Sequence, residues 1–186
     1  TQDMTMDQMI DHCARFTDEI NKSSGQNLTV EQMKEQMRQF FPHLKRWQQC
    51  GTSYLIKKAE QLLAECSTVT IASVNSDGFP RPVPMAKGDT DGCGIVWMAT
   101  GADSVKVADF RRNPKAGLSY DKDGASVCLR GIVEVVNDDS IRLEKWQDWD
   151  INHFLGGPSD PNYILLKFTA KEATIWIDHQ FAHIQL

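Results

Sequence analysis

The residues best placed to do chemistry in this 186-residue chain are Thr100, Ser104 and Lys106, within IVWMATGADSVKVADFRRNPKAGLSY, Ile95 to Tyr120. Ile95 to Ala99 is apolar and glycine-flanked, which suits a buried strand. Thr100 to Ser104 then supplies two hydroxyls, a glycine and an acid. Ser104 is placed to cap a short helix, Val105 to Arg112. Asn113-Pro114 stops that helix, because a residue before proline is pushed out of the helical region. Ala116 to Tyr120 resumes as a strand. A strand end therefore gathers hydroxyls, free amides at a helix start and a lysine, which suits a bound phosphate. The same residues also make an ordinary capped turn with Lys106 as a solvated charge. On its own the stretch leaves both readings open.

The length allows one domain of moderate size, with or without an extension. Hydrophobic residues make up 41% and charged residues 24%, the composition of a soluble globular protein. The net charge of -5 and pI near 5.5 argue against a general nucleic-acid binder, which needs a basic face. No apolar run reaches bilayer-spanning length. The polar, Met-rich start at Thr1 has no signal-peptide pattern, and the lack of an initiator Met points to a short leader or tag ahead of it. Cys13, Cys50, Cys66, Cys93 and Cys128 are scattered and never form a C-x-x-C pair. Reduced thiols in a cytoplasm are expected, not a disulfide scaffold or a zinc site. Cys13, Cys66 and Cys128 sit in apolar patterns and read as small core residues.

The elements that would position the turn follow from periodicity. Residues 4 to 22 read as one helix, with Met6, Met9, Ile10, Cys13, Phe16 and Ile20 recurring every three or four residues. Thr29 and Gln32 form a capping box for a second helix striped by Val30, Met33, Met37, Phe40 or Phe41, Leu44 and Trp47. Pro42 should kink or end it. A third helix, Tyr54 to Glu65, turns Leu55, Ala59, Leu62 and Leu63 inward. From Thr68 the period becomes 2. Strands are expected at Thr68–Val74, Pro80–Met85, Ile95–Ala99, Ala116–Tyr120, Ser126–Val136, Tyr163–Phe168 and Ala173–Ile177. Asn75-Ser76-Asp77-Gly78 is a hairpin turn, and the prolines of the second strand imply an edge or bulged position. Asp89 to Gly94 reads as a tight connection. Asp138 and Asp139 open a helix containing Ile141, Leu143, Trp146 and Trp149. Many short strands with tight turns predict a mainly β (α+β) chain closing into a barrel.

In that order, YLIKKAEQLLAEC, TVTIASVNSDGFPRPVPM, WMATGADSVKVADFRRNPKAGLSY, LRGIVEVVNDD and WDINHFLGGPSDPNYILLKFTAKEATIW resemble the pyridoxamine 5'-phosphate oxidase-like flavoproteins, the FMN-binding split β-barrels, nearest to the general-stress-protein type. The resemblance runs from about residue 54 to 178. It implies a split-barrel domain over 51–186 with flanking helices, preceded by an N-terminal helical extension over 1–50. That extension reads as a helical hairpin packed on the main domain or on a partner subunit. The resemblance also implies a homodimer sharing two FMN sites. Thr100, Ser104 and Lys106 fall on positions that hold the phosphate and ribityl chain. Val83, Pro84 and Met85 fall on the strand beside the flavin ring, and Ala99 contributes backbone there. Ser126 matches a polar position near the ring or phosphate. Trp176 matches a tryptophan that reaches the flavin from the other subunit, though a core aromatic is an equal reading.

The chain departs from the family pattern at both ends of that site. A phosphate arginine expected five residues after the turn glycine is Val83 here; Arg81, two residues earlier on the same strand face, could substitute if the strand bulges at its prolines. A second cation beside the lysine is Val105 here, with Arg111 and Arg112 following a turn later. The tail from Ile177 to Ile184 has no arginine to grip a pyridoxal phosphate, so a vitamin B6 oxidase is not expected. His179 and His183 would share a face if that tail were helical. The expected function is an FMN-dependent oxidoreductase using a donor such as NAD(P)H, with no side chain assigned as catalytic. The alternative is a non-catalytic carrier or sensor of flavin or haem on the same fold, with His153 or His183 as candidate axial ligands. The deazaflavin F420 would need a similar phosphate cradle.

Overall fold

The computed structural model describes residues 6–48, 52–178 and 180–186. The chain divides into two compact units, Thr1–Gly51 and Thr52–Leu186.

The first unit is helical: α1 (Met6–Ala14), α2 (Thr17–Ser24) and α3 (Val30–Gln48). Ile10, Ala14 and Met33 are buried where α1 packs on α3, and Lys34 pairs with Asp11 at 2.9 Å. Three expectations change here. The single helix over residues 4–22 is broken at Arg15-Phe16, because the Thr17 hydroxyl donates to the Ala14 carbonyl at 2.6 Å and takes up a helix-end acceptor. α3 continues past Pro42 to Gln48, so the proline does not end it. Phe16, Val30 and Phe40 are exposed, so the apolar stripes are only partly inward. The Thr29–Gln32 capping box forms as expected, with both reciprocal bonds present. The side chains of Leu44 and Trp47, and Cys50, lie outside the described residues.

The second unit is an antiparallel sheet of eight strands with flanking helices. Its elements are α4 (Thr52–Glu65), β1 (Thr68–Val74), β2 (Pro80–Ala86), β3 (Thr90–Asp91), β4 (Ile95–Gly101), α5 (Val105–Arg112), β5 (Lys115–Lys122), β6 (Ala125–Val136), α6 (Asp139–Glu144), β7 (Tyr163–Ile177) and β8 (Gln180–Gln185). The strand order is β2-β1-β5-β6-β7-β4-β3, and β8 pairs with β7. β6 covers one edge of the long β7. On the other edge β4 takes the first half and β8 the second. β2, at one end of the order, comes close to β4 without pairing with it. This is a split barrel.

Alternation fills its interior. Val69, Ile71, Met85, Val96, Met98, Leu118, Leu129 and Ile175 point inward. Leu55, Ala59, Leu62 and Leu63 of α4, all buried as their spacing predicts, and Val107 and Phe110 of α5 pack on the same core. A second cluster, Val136, Phe154, Tyr163 and Leu165 with Trp97, Ala99, Ile141 and Trp146, holds the segment after β6. At the β1–β2 turn the Asn75 side chain accepts from the amides of Asp77 and Phe79, and Gly78 has φ 84°. That turn is the hairpin the sequence predicts. The β1–β2 register runs unbroken from Thr68–Ala86 to Val74–Pro80. The prolines therefore mark an edge strand, with no bulge.

Five local differences have physical causes. β7 is one continuous strand, because a bulge opposite Arg130 and Gly131 absorbs Lys171 and keeps both halves paired. The tail is β8, so His183 lies on a strand, where Thr174 Oγ1 and His183 Nδ1 are 3.0 Å apart. His179 lies outside the described residues. α6 ends at Glu144, leaving Trp146 in the following loop and Trp149 in a 3-10 turn over Asp148–Asn152. The connection from Asp89 contains the short β3. Cys128 alternates to the outer face and is exposed, Cys13 is half-buried, and Cys66 is buried.

Candidate functional site

The site is built where β4 ends and α5 begins. Thr100 is buried on the inward face of β4, and its hydroxyl lies 3.4 Å from that of Ser104. Ser104 occupies the N-cap position with extended backbone, φ -67° and ψ 143°, but its side chain makes no capping bond. Around the turn, the Ala102 amide donates to the Asn162 carbonyl, the Asp103 amide to Asn162 Oδ1 at 3.3 Å, and the Ser104 amide to the Gly101 carbonyl. The amides of Val107 and Ala108 bond to the Ser104 carbonyl. Among the described residues the amides of Val105 and Lys106 have no partner. Two amide donors thus stay open at the positive end of an eight-residue helix, beside two hydroxyls bonded only to each other.

The local charges have the same sense. Lys106 is half-buried, and no ion pair among the described residues includes it or Arg81. Burial, followed by the Arg81 guanidinium, pushes the Lys106 ammonium below its usual lysine range. Arg81 stands opposite Ser73 in the β1–β2 ladder. Ser73 donates to Asp109 Oδ2 at 2.9 Å, and Arg112 donates to Asp109 Oδ1 at 2.8 Å and to the Val74 carbonyl at 3.0 Å. Burial alone would raise the Asp109 carboxyl. The bonds from Arg112 and Ser73, and the charges of Arg112 and Arg81, outweigh it and hold the group below the usual carboxylate range. Asp109 and Arg112 therefore neutralise each other while locking α5 to β1. The cations left for an anion are Lys106 and Arg81.

Of the residues singled out in the sequence, Thr100, Ser104 and Lys106 share the β4–α5 junction, and Arg81, on a β2 that has no bulge, lies near enough to act on the charge of Lys106. Val83 is half-buried against the barrel core and Met85 is buried, so neither presents a polar group. Pro84 is exposed on the outer side of β2. Ala99 places its methyl against the second apolar cluster. Ser126 and Trp176 face each other across β6 and β7. Thr100 pairs with Ile164, a dozen residues before Trp176 along β7, or about 40 Å of strand at roughly 3.3 Å per residue. The Ser126–Trp176 pair and the Thr100 pair therefore lie toward opposite ends of β7. Sequence reasoning missed Asn162, which ties the turn down through its carbonyl and Oδ1; that contact follows from the pairing of β4 with β7, not from residue type.

A split barrel with open helix amides and an unpaired lysine at the β4–α5 junction defines a class, and comparison defines the family. Residues 55–185 match the family model described as pyridoxamine 5'-phosphate oxidase like. The chain belongs to that family. The fold resembles a Clostridium acetobutylicum protein related to general stress protein 26, with TM-score 0.65, 22% identity, and 71% of this chain and 94% of that one covered. It also resembles general stress protein 26 from Bacillus anthracis, with TM-score 0.61, 22% identity, and coverage of 72% and 99%. A heme binding protein from Mycobacterium smegmatis shares the fold at TM-score 0.57 and 12% identity, over 70% of this chain and 57% of that one. No curated protein matches the chain.

Residues 1–48 match a model described as "Putative zinc ribbon domain". A structural zinc site takes four Cys or His ligands. That segment contains only His12, Cys13 and His43 of those types. No group of three or more metal-ligating side chains that could hold an ion occurs among the described residues. The residues of this segment do not fit a zinc site. No described helix is long and apolar enough to cross a membrane.

Proposed function

We propose that the chain binds FMN at the β4–α5 cradle and serves as a flavin-dependent oxidoreductase. The observation that carries this reading is Lys106, half-buried with no ion pair among the described residues, beside two open helix amides and within reach of the Arg81 charge. A phosphate monoester supplies the missing charge and the acceptors. Val105 and Lys106 would hold it by their amides, Lys106 and Arg81 by charge, and Ser104 and Thr100 by hydroxyl. Bound flavin would supply hydride chemistry with a donor such as NAD(P)H. The chain's part is to bind, orient and shield; no side chain is assigned as an acid or base.

The Ser126–Trp176 pair supports a homodimer. It lies too far along β7 to serve the cradle of its own chain, and a second copy docked with that end against the cradle would complete the site. Residues 177–186 carry no arginine, so the substrate is not expected to be a pyridoxal phosphate. Haem has less support, since His183 sits with Thr174 at the β8 end of the sheet and His153 beside Trp149 and Phe154, not at the cradle.

The test is spectroscopic titration of the purified chain with FMN. Saturable uptake that restores flavin bands to the protein, followed by bleaching with NADH or NADPH, supports the reading. Uptake without bleaching leaves a carrier. No uptake overturns it.

A further inference from the structure

The hydrogen-bond phase of β2 carries a consequence for whatever lies in the split. The Lys87 amide donates to the Ser67 carbonyl, and the Asn75 amide to the Phe79 carbonyl. In an antiparallel ladder bonded and non-bonded pairs alternate. The bonded pairs are therefore Arg81–Ser73, Val83–Ile71 and Met85–Val69, whose backbone groups face β1. Pro80, Pro82, Pro84 and Ala86 turn their backbone outward, toward the free edge. Proline has no N–H. Along that edge the carbonyls of 80, 82, 84 and 86 remain, with the Ala86 amide as the one donor.

β4 alternates in the same way. Trp97 exchanges bonds with Gly88 and Asp89 at 2.8 and 2.9 Å, so its backbone faces the β3 side. Ala99, two residues on, faces that side beyond the end of β3, and among the described residues its N–H and C=O have no partner. β2 and β4 approach each other without pairing, and Arg81 of β2 acts on the charge of Lys106 at the cradle. The slot has one wall that accepts hydrogen bonds and almost never donates them.

Resting on the flavin reading above, we propose that this acceptor edge makes the site select the reduced form of its flavin. Oxidised flavin presents N5 as an acceptor, which against a row of carbonyls leaves two acceptors facing each other and unsatisfied. Reduced flavin carries a hydrogen on N5 and can donate it to the Pro82 or Pro84 carbonyl. The three prolines also keep the exposed edge from pairing with another strand. Edge protection accounts for one or two prolines at any outward position. It does not require every outward position from 80 to 84 to lack a donor.

The test is the ratio of two affinities, measured anaerobically on the full chain by equilibrium dialysis with FMN and with dithionite-reduced FMN. The reduced form should bind about tenfold more tightly, equivalent to a midpoint potential about 30 mV above that of free FMN for a two-electron couple. Pro82→Ala and Pro84→Ala return an outward N–H each and should bring the ratio toward one. Equal binding of the two forms, or tighter binding of the oxidised form, overturns the proposal while leaving flavin binding intact. So does an unchanged ratio in both variants. Should both variants fail to fold, the ratio for the unaltered chain still decides. Failure of either form to bind removes the flavin reading, and this proposal falls with it.

Discussion

Arg81 on β2 and Lys106 on α5 lie close enough for the guanidinium to depress the proton affinity of the ammonium, and neither is paired with a carboxylate among the described residues. Folding has half-buried a lysine at the open end of a helix within reach of a second positive charge, an arrangement that an anion would relieve.

Removing one charge should therefore act in opposite directions on the free and the loaded protein. Lys106→Ala relieves the repulsion, so the Tm of the ligand-free chain should hold or rise. FMN affinity should fall by about 10- to 100-fold, the ~1.5–3 kcal/mol of a hydrogen bond to a charged group. A melt and a titration on the same preparation read both. A lower ligand-free Tm with undiminished affinity would make Lys106 a structural residue.

Two glycines of β5 and β6 should respond differently to alanine. A Cβ on Gly131 would run into the Thr169 carbonyl oxygen and the Phe168 ring, at the bulge that keeps β7 in register. A Cβ on Gly117 would meet only the Leu129 carbonyl, at 3.9 Å. Gly131→Ala should cost about 3 kcal/mol or more, since the clash is with backbone. Gly117→Ala should stay within about 0.5 kcal/mol. Urea unfolding of the two variants measures the contrast, and similar costs would mean that the bulge is not what makes Gly131 necessary.

Asp150 gives a pH dependence. It is buried, its Oδ1 has no partner, and burial raises its carboxyl above the usual 3.8 despite the Gln147 amide and His153. The folded state thus holds this proton more tightly than the unfolded one. Its contribution to stability is present in full below 3.8 and is lost as pH rises through the raised folded value. Asp150→Asn should be more stable than the unaltered chain by about 1 kcal/mol at pH 7, the scale of one unpaired buried polar atom. That advantage should vanish in acid below 3.8. An advantage independent of pH would assign the effect to packing.

The second-copy assignment predicts a particle of twice the 21.0 kDa chain mass by light scattering. Trp176→Ala should weaken FMN binding without altering Thr100, Ser104 or Lys106. A monomer that binds FMN with full affinity would leave Trp176 with no part in the site.

Much of this was legible wherever local chemistry decides the structure. The Asn75–Phe79 turn, the ends of α5 and the inward face of α4 follow from an Asx side chain, a proline and a 3.6 period. The elements that were not legible depend on partners distant in sequence. β8 buries only Ile184 among its six residues and exists because β7 offers an edge, so its pattern reads as loop. The two halves of β7 look separate because Glu172 and Lys171 interrupt the apolar run at the bulge. Cys128 shares its apolar neighbourhood with Val127 and Leu129 yet alternates outward. In the site, Thr100, Ser104 and Lys106 were evident from one stretch. Arg81 was named from the resemblance, and its place opposite Ser73 required the register of β1 against β2.

The cradle is tested most directly by titrating the unaltered chain with FMN and with riboflavin, which differ only in the phosphate. If Lys106, Arg81 and the open amides of α5 hold a phosphate, FMN should bind at least about tenfold more tightly, ~1.4 kcal/mol or more. Equal affinities would contradict the account, because the anion that the paired cations call for would then contribute nothing.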